Sequence, residues 1–192
     1  MRWLFLVSML CSTTSIAFDS VAMTNQEATE KVIPRNMFPT PPQTDRSLFY
    51  IQRSKNTNAI KYDANVMADG KLNPAEPVSV YWIRYATDST SAELTYIQRK
   101  YAYGVKTVPV PGKQDQFIVS FVSYEKKKFY VLRDPDGKKY RAFTNINGKM
   151  AELKKIFIQL SGGTFWFPNI VDIEISGKDP ATHQNVVEHF RP

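Results

Sequence analysis

The chain has 192 residues, of which 43% are apolar and 13% aromatic, and it carries a formal net charge of +7. This length suits one domain of ordinary size, and the composition excludes a disordered chain. Because Cys11 is the only cysteine, a disulfide framework and a cysteine-based metal site are also excluded.

Residues 1–22 predict a cleavable signal peptide. Arg2 supplies a positive start, an apolar run continues to Leu10, and small residues suited to signal peptidase lie between positions 15 and 22. The apolar run is shorter than the about 20 residues that span a bilayer. Two alternatives stay open: a retained anchor helix, and a lipoprotein acylated at Cys11. We expect an exported protein, periplasmic or secreted, without a membrane-spanning segment.

Residues 23–46 predict an extended, polar arm that precedes the domain. The arm contains four prolines, which fix φ and disfavour helix before them: Pro34, Pro39, Pro41 and Pro42. A proline-rich recognition ligand is the alternative interpretation of this arm. We expect a single β-rich domain over residues 47–192.

Ten short segments of strand character follow, separated by turn residues. They are 48–53, 59–63, 78–85, 105–110, 116–124, 129–133, 139–143, 156–160, 170–176 and 186–190. In the clearest, Val171, Ile173 and Ile175 alternate with polar residues. Short strands with hairpin-length connections predict an all-β fold, mainly antiparallel, built as a barrel or sandwich of about ten strands. Residues 125–128 and 134–137 are expected to form hairpin turns.

One helix is predicted near residues 91–102. Thr90 and Glu93 fit a capping box, and apolar residues follow at spacings of three and four. Residues 150–160 fit a helical stripe and a strand equally well, and we favour a strand after Lys154.

Several runs of the sequence resemble the family called domain of unknown function 4833. They are LFYIQRSKN at 48–56, PVSVYW at 77–82, YIQRKYAYGV at 96–105, and the stretch 171–192 with a turn at 176–179. The resemblance covers about residues 38 to 192. It implies a small exported bacterial protein, and it implies no catalytic residues because none are assigned to the family.

No motif in the sequence predicts a catalytic, cofactor or metal site. His183 and His189 are six residues apart, which on a strand separates them by about 20 Å, so they are not expected to share a metal. A nucleophile elbow and the glycine patterns of nucleotide sites are missing from the sequence. Acidic residues are numerous, but their spacing selects no pair. We expect no cofactor.

The charge distribution is uneven. The segment from 126 to 155 holds ten bases against three acids, a balance equal to the +7 of the whole chain. The bases are Lys126, Lys127, Lys128, Arg133, Lys138, Lys139, Arg141, Lys149, Lys154 and Lys155. If consecutive hairpin strands carry them, they would form a patch for anionic partners. The alternative is a set of solvated turns and a lysine-guarded edge strand.

These observations favour a non-catalytic binding or envelope-associated domain. Small antiparallel barrels hold ligands in the mouth, where Arg53, Lys55 and Asn56 of the loop 52–58 are the candidate ligand-binding residues. The expected partners are a small ligand or anionic envelope components, and not nucleic acid. The alternative is a hydrolase that acts on an envelope polymer through paired carboxylates.

Overall fold

Alternating apolar and polar residues form strands in the order that the sequence predicts. The computed structural model describes residues 33–134, 136–164 and 167–191, so the predicted signal peptide lies outside the described residues. The strands are β1 (Ser47–Arg53), β2 (Asn56–Ala64), β3 (Val78–Ile83), β4 (Ser91–Glu93), β5 (Val105–Pro109), β6 (Phe117–Phe121), β7 (Tyr124–Arg133), β8 (Tyr140–Ile146), β9 (Lys149–Gly163), β10 (Pro168–Lys178) and β11 (Asn185–Phe190). Each of the ten predicted segments overlaps a strand. Only β4 was not anticipated, because three residues carry too little alternation to signal a strand.

The long strand β9 is the centre of the sheet. One of its edges pairs with β8 near its start and with β1 further along, while its other edge pairs with β10. The β1–β9 pair is parallel, with Ile51 opposite Ile156. Two series of strands extend from this edge of β9, and we call them wings. One has the order β1-β2-β3-β4 and the other the order β8-β7-β6-β5. The sheet curls so that it forms a half-barrel.

The predicted class, mostly β, is confirmed, but its finer form is wrong. A single mixed sheet replaces the barrel or sandwich of mainly antiparallel strands. The parallel pairing joins strands about one hundred positions apart in sequence, and next to it Leu160 N donates to Ser54 Oγ, 106 positions earlier. Alternation within a strand gives no information on such a distant partner.

The predicted helix near 91–102 is shorter and begins later. Residues Ser91–Glu93 pair with β3 as β4, and helix α1 spans Tyr96–Tyr101. Thr95 and Gln98, five residues beyond the expected pair, form the capping box. Thr90 instead donates to Asp88. No helix among the described residues is long and apolar enough to cross a membrane.

The expected turn at 125–128 is also wrong, because these residues belong to β7. The β6–β7 hairpin closes earlier, with Phe121 opposite Tyr124. Backbone contacts hold that earlier turn: Val122 N donates to Gly104 O, and Ser123 Oγ donates to Ala102 O. The run of lysines therefore lies along a strand. Similarly, residues 176–178 continue β10, and its turn begins at Asp179.

Aromatic side chains fill the space between the two wings. Phe49 of β1 stacks on Tyr62 of β2 at 4.4 Å and meets Phe129 of β7 edge-on at 5.1 Å. The Tyr62 hydroxyl is fully buried and donates to Tyr103 O at 2.8 Å. Burial raises the pKa of Tyr62 well above its ordinary value. These contacts fix the curvature of the half-barrel.

The described part of the arm, residues 33–46, packs on the outer face of β1 and β9. It begins with one 3-10 turn, Arg35–Met37. Phe38 is buried and contacts Phe157 of β9 edge-on at 5.1 Å. The Gln52 side chain of β1 donates to Pro39 O at 2.7 Å. The arm thereby covers a stretch of the sheet that would otherwise face water.

Candidate ligand-binding cavity

An apolar cavity of about 150 Å³ lies at one end of the half-barrel. Six isoleucines contribute to its wall: Ile51, Ile156, Ile158, Ile170, Ile173 and Ile175. Strand register explains their convergence, because Ile158 lies opposite Ile173, and Ile156 lies opposite both Ile175 and Ile51. Side chains directly opposite each other point to the same face of a sheet. Three adjacent strands therefore present one continuous isoleucine surface.

The rim of the cavity combines two rings and an ion pair. Tyr124 of β7 stacks with Phe190 of β11 at 5.9 Å between ring centres. Lys127 Nζ lies 2.8 Å from Glu188 Oε2 and 6.0 Å from the centre of the Phe190 ring. Glu188 also accepts from Asn147 N at 3.0 Å. The charged groups of this rim are thus already paired with each other.

The pKa of Glu188 lies below its ordinary value of 4.5. Partial burial acts to raise it, but the hydrogen bonds from Lys127 and the Asn147 N–H outweigh burial because both stabilise the carboxylate. Glu188 is therefore ionised at neutral pH, and the ion pair with Lys127 persists there.

The predicted ligand-binding residues Arg53, Lys55 and Asn56 do not line the cavity, although Arg53 contacts a residue that does. Arg53 stacks its guanidinium on Trp82 at 5.3 Å and on Tyr103 at 5.4 Å, and Tyr103 itself lines the cavity. Lys55 is exposed, and the Asn56 side chain accepts from the Asn58 N–H. Within the described chain, Arg53 Nε is buried without a hydrogen-bond partner.

Sequence reasoning missed the isoleucine wall, although part of its signal was visible. The alternation of Ile173 and Ile175 predicts one face of a strand, and Ile156 and Ile158 share the same alternation. Nothing local indicated that these two faces are neighbours, because their pairing depends on the order of strands in the sheet. Ile51 joins them only through the parallel β1–β9 pair.

A family model matches the chain over residues 49–189, from the middle of β1 almost to the end of β11. Its description is Domain of unknown function (DUF4833). The chain belongs to the DUF4833 family. This match confirms the resemblance seen in the sequence, and it includes all of the residues that line the cavity except Phe190. No curated protein and no solved structure matches the chain.

In this DUF4833 chain, the bases of the segment 126–155 are divided among several places. Lys127 lies at the cavity rim, and Lys155 lies over Phe157 at 5.2 Å on the face next to the arm. Arg141 and Lys154 share Glu152, at 3.1 and 2.5 Å. Lys139 pairs with Asp45, and Arg133 donates to Gly70 O. Four lysines make no ion pair within residues 33–134, 136–164 and 167–191: Lys126, Lys128, Lys138 and Lys149.

The structure brings together one pair of carboxylates that sequence spacing did not select. Asp172 and Glu174 of β10 both approach the imidazole of His189, at 2.9 and 3.8 Å. Glu174 also pairs with Arg35 of the arm at 2.5 Å. Neither carboxylate lines the cavity. Among the residues described, no group of three or more metal-binding side chains forms a metal site.

Proposed function

We propose that this DUF4833 chain is a non-catalytic binding domain whose cavity holds a small apolar group. The isoleucine-lined cavity is the observation that supports this function. A cavity of about 150 Å³ lined by aliphatic and aromatic side chains is known in another protein to stay dry and to bind benzene. The cavity described here has the same volume.

The lining restricts the class of ligand. An isoleucine wall offers no hydrogen bonds, so a polar group inside it would lose its bonds to water without replacement. The Lys127–Glu188 pair neutralises the charge at the rim, which leaves no unpaired ion there to select a charged ligand. The ligand class that fits is therefore an aryl or short alkyl group, with any polar part of the molecule outside the cavity.

We also propose that the protein acts after export, in the periplasm or outside the cell. The support is the leader-like sequence of residues 1–22. In that compartment, small aromatic compounds and acyl chains of envelope lipids are available ligands of the stated class.

Toluene is the probe for the cavity, and isoleucine methyl groups are the reporters. We expect toluene to shift the methyl NMR signals of the six lining isoleucines in a saturable way. The signals of Ile60 and Ile146, which are buried but do not line the cavity, should change little. A response without saturation, or one equal at all isoleucines, would contradict the proposal.

Filling the cavity provides the matched test. Ile158 lines the cavity and is only partly buried, so Ile158→Phe should place its ring inside and weaken toluene binding by at least about tenfold, or about 1.4 kcal/mol. Val187→Phe is the control, because Val187 is 43% exposed on β11 and does not line the cavity. If Ile158→Phe does not fold, Ile170→Phe fills the same space from β10. Wild-type affinity in a folded filling variant would overturn the proposal.

A further inference from the structure

The outer face of β7, β8 and β9 carries apolar side chains where alternation would place polar ones. Phe129, Val131 and Ala142 point to the core and are buried, so the residues between them face outward. Four of these outward or flanking residues are large and apolar, and we call them the outer strip: Tyr130, Leu132, Phe143 and Met150. Folding of the core does not account for them.

The outer strip forms an open groove. Tyr130 lies directly opposite Phe143, and Met150 lies opposite Asn145 one strand further along. Together with Arg133 and Pro180, the strip lines a depression of about 550 Å³. Met150 is 52% exposed. A contiguous apolar surface of this kind on a folded domain marks an interaction site.

The charges around the outer strip define its partner. Lys128 precedes Tyr130 on the same face of β7, is exposed and makes no ion pair within the described residues. Arg141 and Lys154 flank the strip and have only Glu152 between them. The face therefore has three bases, Lys128, Arg141 and Lys154, against the one carboxylate that pairs with them, Glu152, with apolar side chains in the middle.

We propose that this face docks on a bilayer that contains anionic phospholipid. The outer strip would enter the interface between headgroups and acyl chains, while the bases would lie against the phosphates. An anionic bilayer is the partner that offers both a negatively charged surface and an apolar layer beneath it. The cavity lies on the other side of the sheet, so this proposal stands independently of the ligand proposal.

Co-sedimentation with vesicles tests the docking face. We expect binding to vesicles of phosphatidylcholine mixed with phosphatidylglycerol, weaker binding at high salt because ions screen the surface, and little binding to phosphatidylcholine alone. Lys128→Gln combined with Lys154→Gln should weaken the partition roughly 30-fold, since each base near an anionic surface contributes about fivefold. Equal binding to both vesicle types, or to neither, would overturn the proposal.

Two further variants separate a bilayer from other anionic partners. Lys71→Gln combined with Lys113→Gln removes the same charge from exposed lysines elsewhere and should leave binding nearly unchanged. Met150→Ser should weaken vesicle binding although it alters no charge, because it removes apolar surface from the outer strip. If Met150→Ser binds vesicles as the wild type does, the bilayer proposal is wrong. If the double lysine variant then loses binding to heparin as much as binding to vesicles, the face is a site for soluble polyanions.

Discussion

Glu188 joins three parts of the chain through a single carboxylate. It lies on β11, pairs with Lys127 of β7 and accepts from Asn147 in the turn between β8 and β9. No local pattern distinguishes this acidic residue from the others, since its partners are distant along the chain. Its contacts fix one side of the cavity rim.

Replacement of Glu188 should lower the free energy of unfolding by an amount that depends on pH. Because the folded pKa of Glu188 lies below 4.5, its contribution to stability is present above about pH 4.5 and is lost as the pH falls through the folded pKa. We expect Glu188→Gln to lower the free energy of unfolding by about 1 kcal/mol at pH 7, since the pair is partly exposed. Urea denaturation at a series of pH values measures this.

The control for this prediction is Glu93→Gln, on the exposed strand β4. Glu93 has no ion pair among the described residues, so its replacement should change stability little at any pH. A Glu188→Gln deficit that stays constant down to pH 3 would show that the charge of Glu188 is not the cause.

At the scale of elements, the arm depends on one aromatic anchor. Phe38 is 8% exposed and rests on Phe157, while its neighbour Met37 is 64% exposed. Arg35 adds a cation–π contact, with its guanidinium over the Phe157 ring at 4.1 Å from the ring centre. The buried phenyl group is therefore the main apolar contact by which the arm is held to β9.

Phe38→Ala should loosen the arm and lower stability by about 2 kcal/mol, the usual contribution of a buried phenylalanine. Limited proteolysis should then cut within residues 33–46 faster than in the wild type. Met37→Ala, which removes an exposed side chain from the same turn, should behave as the wild type does. Unchanged proteolysis of Phe38→Ala would mean that Gln52 and Arg35 hold the arm without it.

The strands were predictable from sequence because each depends on its own alternation. Ile173 and Ile175 show this, since both are buried on one face of β10 as expected. Helix α1 begins later than predicted because a second capping pattern, Thr95 and Gln98, follows the expected one. Gln98 also accepts the Trp82 indole N–H, a tertiary bond that favours this second pattern. The cavity was not predictable, because it requires knowledge of which strands are neighbours.

At the scale of the whole molecule, cleavage of the predicted signal peptide would determine which residues the exported protein contains. We expect the exported protein to begin between residues 18 and 23, because the small residues that signal peptidase reads lie just before those positions. Intact-mass measurement of the protein recovered from producing cells gives this start directly. The mature chain would then contain no cysteine.

Cys11→Ser distinguishes the alternatives to this cleavage. Processing by ordinary signal peptidase should be unaffected by the change, whereas a lipoprotein would lose its acyl chains. A recovered mass that includes Met1 would instead indicate a retained anchor. Either a lipid-bearing Cys11 or an intact N-terminus would refute the prediction.

The position of β9 in the sheet has a consequence for how the chain acquires its structure. Both wings attach to this one strand, and Ser54 meets Leu160 across 106 positions of sequence. Closing so large a loop is entropically costly before any contact repays it, which makes such topologies slow to fold. If the β1–β2 hairpin forms before β9 is in place, the outer edge of β1 has no strand to pair with. In that state we expect the open strand edge to expose the chain to aggregation.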